Sequence, residues 1–317
     1  MTDSGTVVQP RSRLRRSELS TPATSMRMIA KAAGSNADLV FLDLEDSVAP
    51  SEKVAARSNV GAALNELDWS GKTRACRVNG VQTQWCHGDI IDVVTTAGEN
   101  LDVIIIPKVR YPRDIWFADD LLTQLEASLG LAPGRIGLEV LIEETEALSC
   151  VEQIAAASPR LEALILGVGD LSASQGMRTS HIGGSDSGAH AYPGDRWHYA
   201  RNRMIVAARA HGIDAIDGPF AGIGDPEGYR REASWATGLG AVGKWCIHPS
   251  QIEIANQVFA PTSEEIETAE GVIAAMAEAE AQGQGAAKHN GMMVDIASVR
   301  IHEAVLDRAD LCGLRKC

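Results

Sequence analysis

The sequence predicts an α/β fold, a (β/α)8 TIM barrel carrying a C-terminal helical lid segment. Three observations lead there. Short apolar runs recur along the chain as near-continuous stretches, the pattern of parallel strands covered on both faces. Segments with apolar residues at three- and four-residue spacing separate these runs, and regular alternation of strand and helix indicates a parallel sheet. Eight such units fit in about 245 residues, which suits a closed barrel better than an open sheet.

The first strand is expected near Glu18 and Leu19, and the following ones at 38–42, 74–78, 102–106, 136–142, 163–167, 212–216 and 241–247. The stretch "ADLVFLDLEDSV" (37–48) sends an apolar run straight into Asp43, Glu45 and Asp46. Carboxylates crowded in a low-dielectric site resist ionisation, so cations must lie nearby. Helices are expected at 114–129, where "DIWFADDLLTQLEASLG" closes on a C-terminal glycine, and at 145–157. "GIGDPEG" reads as a loop that does not open a helix after a strand. The polar, glycine-rich segment 179–195 has the length of a functional lid or binding loop.

The pattern changes after Phe259. Thr262 and Glu265 form a capping box, and Ile266, Ala269, Val272, Ile273 and Met276 give one apolar helix face. A glycine-rich break, "GQGAAKHNG", precedes a second helix read across "GMMVDIASVRIHEAVL". This tail looks too small to hold a core of its own. The organisation read is therefore a basic arm at 1–15, a barrel at 16–260 and a lid segment at 261–317.

Composition narrows the function. A formal net charge of −13 argues against general affinity for nucleic acid or anionic membranes. No apolar stretch approaches the roughly 18–20 residues of a membrane span, and the N-terminus lacks the apolar core of a secretory signal. Six scattered cysteines without a CxxC pair fit a reducing cytoplasm. Arg11, Arg13, Arg15 and Arg16 read as a solvated arm or as helpers for an anionic ligand. Walker loops, HExxH and GxSxG are absent from the sequence.

In a barrel of this type reactive groups sit where strands end. Those ends offer Asp43, Glu45 and Asp46, then Arg77 and Asn79, Lys108, Glu143, Asp170, Asp217, and finally Lys244 and His248. Arg77 and Lys108 can offset Glu45 and Asp46. Glu143 and Asp170 offer hard oxygens to a divalent ion such as Mg²⁺, or they cap helices or pair with lysines. Arg77 suits a substrate carboxylate, or an ion pair with Glu45 or Asp46. Trp245 stacks on a ligand ring or packs internally; His248 is a ligand or a hydrogen-bonded structural histidine; Asp217 binds a ligand or forms a turn.

The motifs "LDLEDSVAPSEKVAARSNV", "CRVNG", "DVIIIPKV", "IEETEAL", "ASPRLEALILGVGDLSASQGM", "DGPF", "GKWCIHPSQIEIANQVFAP" and "VDIASV" together resemble the citrate lyase β-subunit-like (HpcH/HpaI aldolase) family. Within it the chain is most similar to the malyl-CoA and β-methylmalyl-CoA lyases, from about residue 16 to 306. The resemblance implies a Mg²⁺-dependent barrel, with Mn²⁺ as a substitute, that makes or breaks a carbon–carbon bond beside a CoA thioester. It implies Glu143 and Asp170 as metal ligands, Arg77 on the substrate carboxylate and Asp295 as a lid acid or base. Glu45 and Asp46 are expected to orient the metal's waters. Lys31, Arg27, Lys108, the loop Asp217, Gly218, Pro219 and Phe220, and Trp245, Ile247 and His248 make up the expected CoA-binding set.

The partners implied are acyl-CoA and a glyoxylate-type oxoacid, in a homotrimer or homohexamer whose C-terminal segments close neighbouring sites. Two departures stand out: Ser25 replaces a CoA-binding arginine, and Glu144 and Ala147 replace a small polar residue and a glycine. Citramalyl-CoA lysis and malyl-CoA hydrolysis are alternative reactions for the same site, and a non-enzymatic acyl-CoA-binding barrel is an alternative of another class.

Overall fold

The computed structural model describes residues 12–179, 181–184, 192 and 194–315. The chain divides into two compact units, Met1–Asn256 and Gln257–Cys317. The first begins with β1 (Ser17–Pro22), α1 (Met26–Ala33), β2 (Leu39–Asp43), α2 (Lys53–Glu66), β3 (Thr73–Arg77) and α3 (Cys86–Ala97). It continues through β4 (Val103–Ile106), α4 (Pro112–Leu129), β5 (Gly137–Ile142), α5 (Thr145–Ser149), α6 (Val151–Ala155), β6 (Leu161–Leu166) and α7 (Val168–Ser174). Then come α8 (His198–Ala210), β7 (Asp214–Asp217), α9 (Pro226–Leu239), β8 (Gly243–Cys246) and α10 (Ile252–Val258), whose last two residues belong to the second unit.

The eight strands are parallel and close in sequence order, β1 pairing with both β2 and β8. This is the (β/α)8 barrel the periodicity predicts. Phe41, Ile105, Ile165, Ile216 and Trp245 belong to a fully packed interior cluster, so the barrel is filled by side chains. The helix expected over 145–157 is broken at Cys150 into α5 and α6. "GIGDPEG" departs from its reading: it follows β7, and Asp225 accepts the Gly228 N–H at 2.9 Å while Pro226 starts α9. Proline lacks only an N–H that the first helical turn leaves unpaired anyway.

The expected N-terminal arm is also corrected. Arg15 is fully buried at the strand N-termini, against Glu139 at 2.8 Å, Asp214 at 3.1 Å and Glu162. Arg13 meets Glu162 at 2.7 Å, and Arg16 holds Asp38 at 2.8 Å. These arginines plug the base of the barrel because the buried acids there need counter-charges. Arg11 lies outside the described residues.

The second unit holds α11 (Ser263–Ala281), β9 (Ala287–His289), β10 (Met292–Val294) and α12 (Ile296–Leu311). Thr262 caps α11 in the expected box with Glu265. The helix read across "GMMV" is instead the second strand of a hairpin, turned by Asn290 (φ 46°) and Gly291 (φ 83°). Successive positive φ values are what a two-residue hairpin turn of this hand demands. Val272, Met276 and Val294 form a small core with Ala287 and Val299, so the tail does hold apolar packing of its own. Among the described residues, no helix is long and apolar enough to cross a membrane.

Candidate active site

The C-terminal ends of β2 to β6 carry one connected charge cluster. Asp43 ends β2 opposite Arg77, which ends β3. That register lets the guanidinium grip both Asp43 oxygens, Nε and Nη2 donating at 2.7 Å each. The guanidinium lies over the rings of Trp245, at 5.4 Å, and Phe41, at 5.9 Å. Burial opposes charge on Asp43, yet the Arg77 fork holds its carboxyl below the usual range. Hence the fork expected to bind a substrate carboxylate is occupied by Asp43. Nη1 is left, 3.1 Å from Glu45 and 3.8 Å from Asp46.

Lys108 follows β4 with φ 53°, a left-handed backbone that side chains with a Cβ rarely adopt. Its backbone N–H donates to Glu143 Oε1 at 2.7 Å. Its ammonium donates to Glu45 at 2.5 Å, Asp170 at 3.3 Å and Asp46 at 3.4 Å. Burial lifts the Glu45 carboxyl above its ordinary value, partly countered by Arg77. Asp46, more exposed, lies below its own despite some desolvation, chiefly through its hydrogen bond with Glu45.

Glu143 and Asp170 follow the adjacent strands β5 and β6. Glu143 is buried where only glycine fits beside it: a Cβ on Gly167 would come within 2.4 Å of the Glu143 Cβ. Burial pushes the Glu143 carboxyl up to about 8 in spite of Lys108, and Asp170 adds to the rise. Among the described residues, no group of three or more His, Cys, Asp or Glu is arranged to hold a metal. Mg²⁺ does not need one, since it takes one or two carboxylates and completes its shell with water and substrate oxygens. A buried acid whose charge is disfavoured, beside a second hard-oxygen donor, fits such an ion, and Mn²⁺ as well.

The expected CoA-binding residues divide. Arg27 and Lys31 are exposed on α1, and Ser25 accepts the Met28 N–H as its N-cap, so the departure at Ser25 has a structural use. Ile247 and His248 are exposed; His248 accepts from Ser250 N at 3.2 Å and caps its own turn. Phe220 is buried edge-on against Tyr229 and Pro219 is half-buried. Asp217 is fully buried between Lys244, at 2.5 Å, and Arg201, at 2.9 Å, so its carboxylate is already committed. Trp245 lies inside the barrel, 4.5 Å from Phe41, donating from Nε1 to Glu18 at 2.8 Å; its ring partners belong to the protein.

Asp295 belongs to the second unit, where it N-caps α12 and is exposed. The backbone N–H groups of Ser298 and Ala297, donating at 3.1 and 3.0 Å, hold its carboxyl below the usual range. In the long polar loop, 180, 185–191 and 193 lie outside the described residues. Its described ends are tied down, Ala221 N–H donating to the Ile182 carbonyl at 2.8 Å and Arg201 pairing with Asp195. Asp43 as the holder of Arg77, and the Asp217–Arg201–Lys244 network, are the functional neighbours that sequence reading missed. Only the β2–β3 register could have indicated the first.

The chain also has relatives among known proteins. The chain is 41% identical over 308 residues to the L-malyl-CoA/β-methylmalyl-CoA lyase of Cereibacter sphaeroides, covering 95% of this chain and 96% of that one. It is 35% identical to the malyl-CoA/β-methylmalyl-CoA/citramalyl-CoA lyase of Chloroflexus aurantiacus, covering 86% and 80%. The solved structure of CitE from Mycobacterium tuberculosis, in complex with magnesium, acetoacetate and coenzyme A, superposes with a TM-score of 0.73. It shares 30% identity and covers 96% of this chain and 98% of that one. The sequence model of the HpcH/HpaI aldolase/citrate lyase family matches residues 16–249. The chain belongs to that family.

Proposed function

We propose that this protein, a carbon–carbon lyase acting on hydroxyacyl-CoA, is Mg²⁺-dependent and reversibly cleaves L-malyl-CoA to acetyl-CoA and glyoxylate. β-Methylmalyl-CoA, giving propionyl-CoA and glyoxylate, is the second substrate. The observation that carries the reading is the meeting of Glu143, Asp170, Arg77, Glu45 and Asp46 at one barrel mouth, in a chain 41% identical to a lyase of those two substrates.

Glu143 and Asp170 would hold the ion. Bound there, it would supply Lewis acidity to the oxygen that becomes the aldehyde carbonyl. Arg77, kept charged and oriented by Asp43, offers Nη1 to the substrate carboxylate or to the enolate oxygen that develops on the thioester. Glu45 and Asp46 order the surrounding water. Cleavage removes a proton from the β-hydroxyl and returns one to the acyl carbon, so the net proton count is zero. The resemblance gives Asp295 the transfer at the acyl carbon, as part of a lid closing a neighbouring copy in a homotrimer or homohexamer. A solvated, helix-capping carboxylate stays ionised and is a weak base, and desolvation on closure would raise it toward the neutral range. The reduced thiols of Cys76, Cys86, Cys150 and Cys246 support a reducing, cytoplasmic setting.

The test is to incubate the pure protein with Mg²⁺, glyoxylate and a panel of acyl-CoAs and identify products by mass spectrometry. Malyl-CoA from acetyl-CoA and β-methylmalyl-CoA from propionyl-CoA are expected, with loss of both on chelation. Release of free CoA and malate from malyl-CoA would instead identify a thioesterase.

A further inference from the structure

Lys108 combines two features. Its backbone is left-handed, and among the described residues only Asn290 shares that state without being glycine. The conformation aims the N–H at Glu143, at 2.7 Å. Glycine would provide that donor without steric cost, so the side chain must account for a lysine at this position. Its Nζ sits among three carboxylates, at 2.5 Å from Glu45, 3.3 Å from Asp170 and 3.4 Å from Asp46. Asp170 is also one of the two residues assigned to the metal.

An ammonium and a divalent ion a few ångströms apart repel strongly in a partly desolvated mouth. Both cannot rest on Asp170. The lysine stem is flexible and its side chain is 31% exposed, so it has somewhere to go. We propose that Lys108 is a built-in counter-cation for the acidic mouth which Mg²⁺ must displace from Asp170, so that this side chain sets how tightly metal is held before substrate arrives. The inference rests on the assignment of Glu143 and Asp170 as metal ligands. It makes Lys108 a positioning residue, acting through the carboxylates it neutralises. It also couples the two ligands: an anionic substrate restores the balance that a displaced lysine and a bound ion disturb, so substrate strengthens metal binding.

The experiment is calorimetric titration of the full-length protein with Mg²⁺ alone. Lys108→Gly suits the left-handed backbone, keeps the N–H to Glu143 and deletes the ammonium; Lys108→Met deletes the charge but retains the stem; Lys108→Arg keeps a cation. Thermal melts establish that each variant is folded, and Lys108→Gly serves if Lys108→Met does not fold. Expected is Mg²⁺ affinity on the order of tenfold tighter in the Gly and Met variants and near wild type in the Arg variant. Unchanged or weaker affinity in Lys108→Gly, with wild-type binding abolished by Glu143→Ala, would overturn the role of Lys108 and leave the metal site standing. Absence of Mg²⁺ binding in wild type and Lys108→Gly alike would overturn both.

Discussion

Glu143 makes the charge of the mouth depend on pH. Its folded carboxyl lies near 8, above the ordinary carboxylate value, so between those limits the folded protein binds more protons than the unfolded chain. Without metal, this group's contribution to stability is therefore present at low pH and is lost as pH rises toward 8. A divalent ion requires the ionised form, so binding below pH 8 should expel a proton and affinity should climb with pH until it levels off. Calorimetry at pH 7 in two buffers of different ionisation enthalpy should show release approaching one proton per ion; none released would mean that Glu143 does not hold the ion. Glu143→Ala and Asp170→Ala should each abolish turnover and the Mg²⁺ requirement, measured by product formation with and without chelator. Arg77→Lys keeps a positive charge but cannot span both Asp43 oxygens. Its turnover should fall by a hundredfold or more and its stability by about 1–3 kcal/mol, read from kinetics and urea melts.

Among the elements, the loop after β7 leaves its glycine no room for a side chain. A Cβ on Gly218 would lie 2.0 Å from the Leu166 carbonyl oxygen, a backbone atom that cannot move aside. Gly218→Ala should cost about 3 kcal/mol, whereas Gly238→Ala, with open space around it inside α9, should gain about 0.5–1 kcal/mol. Paired thermal melts check both signs. Element identity was legible wherever hydrophobic periodicity ran long enough: all eight barrel strands and the Thr262–Glu265 cap could be read from the sequence. The β9–β10 hairpin was not read: Asn290-Gly291 is a turn signal, but strands of three residues are too short to show alternation against a helical background. The start of α9 was marked by Asp225-Pro226, and the glycines before it obscured the signal.

For the whole molecule, the base of the barrel opposite the mouth is a charge plug. Removing Arg15 leaves Glu139, Glu162 and Asp214 short of a counter-charge in a buried setting. Arg15→Ala should destabilise the fold by about 3–5 kcal/mol while turnover per folded molecule stays near wild type, since the plug is at the far end from the reacting groups. Urea unfolding and active-site-normalised rates separate those effects; unchanged stability would show that solvent compensates the acids.

By itself the sequence determined the number and order of strands, their closure into a barrel and which residues stand at the mouth, because apolar periodicity and strand ends are local properties of the chain. Only the tertiary structure decided which charges are free. Arg15 and Glu139 are 124 residues apart and Arg77 and Asp43 are 34 apart, yet each pair is in hydrogen-bonding contact. Which acid a cation meets depends on strand register and barrel closure. These commit Arg77 to Asp43 and Asp217 to Lys244, and place Lys108 where the acids of three strand ends converge.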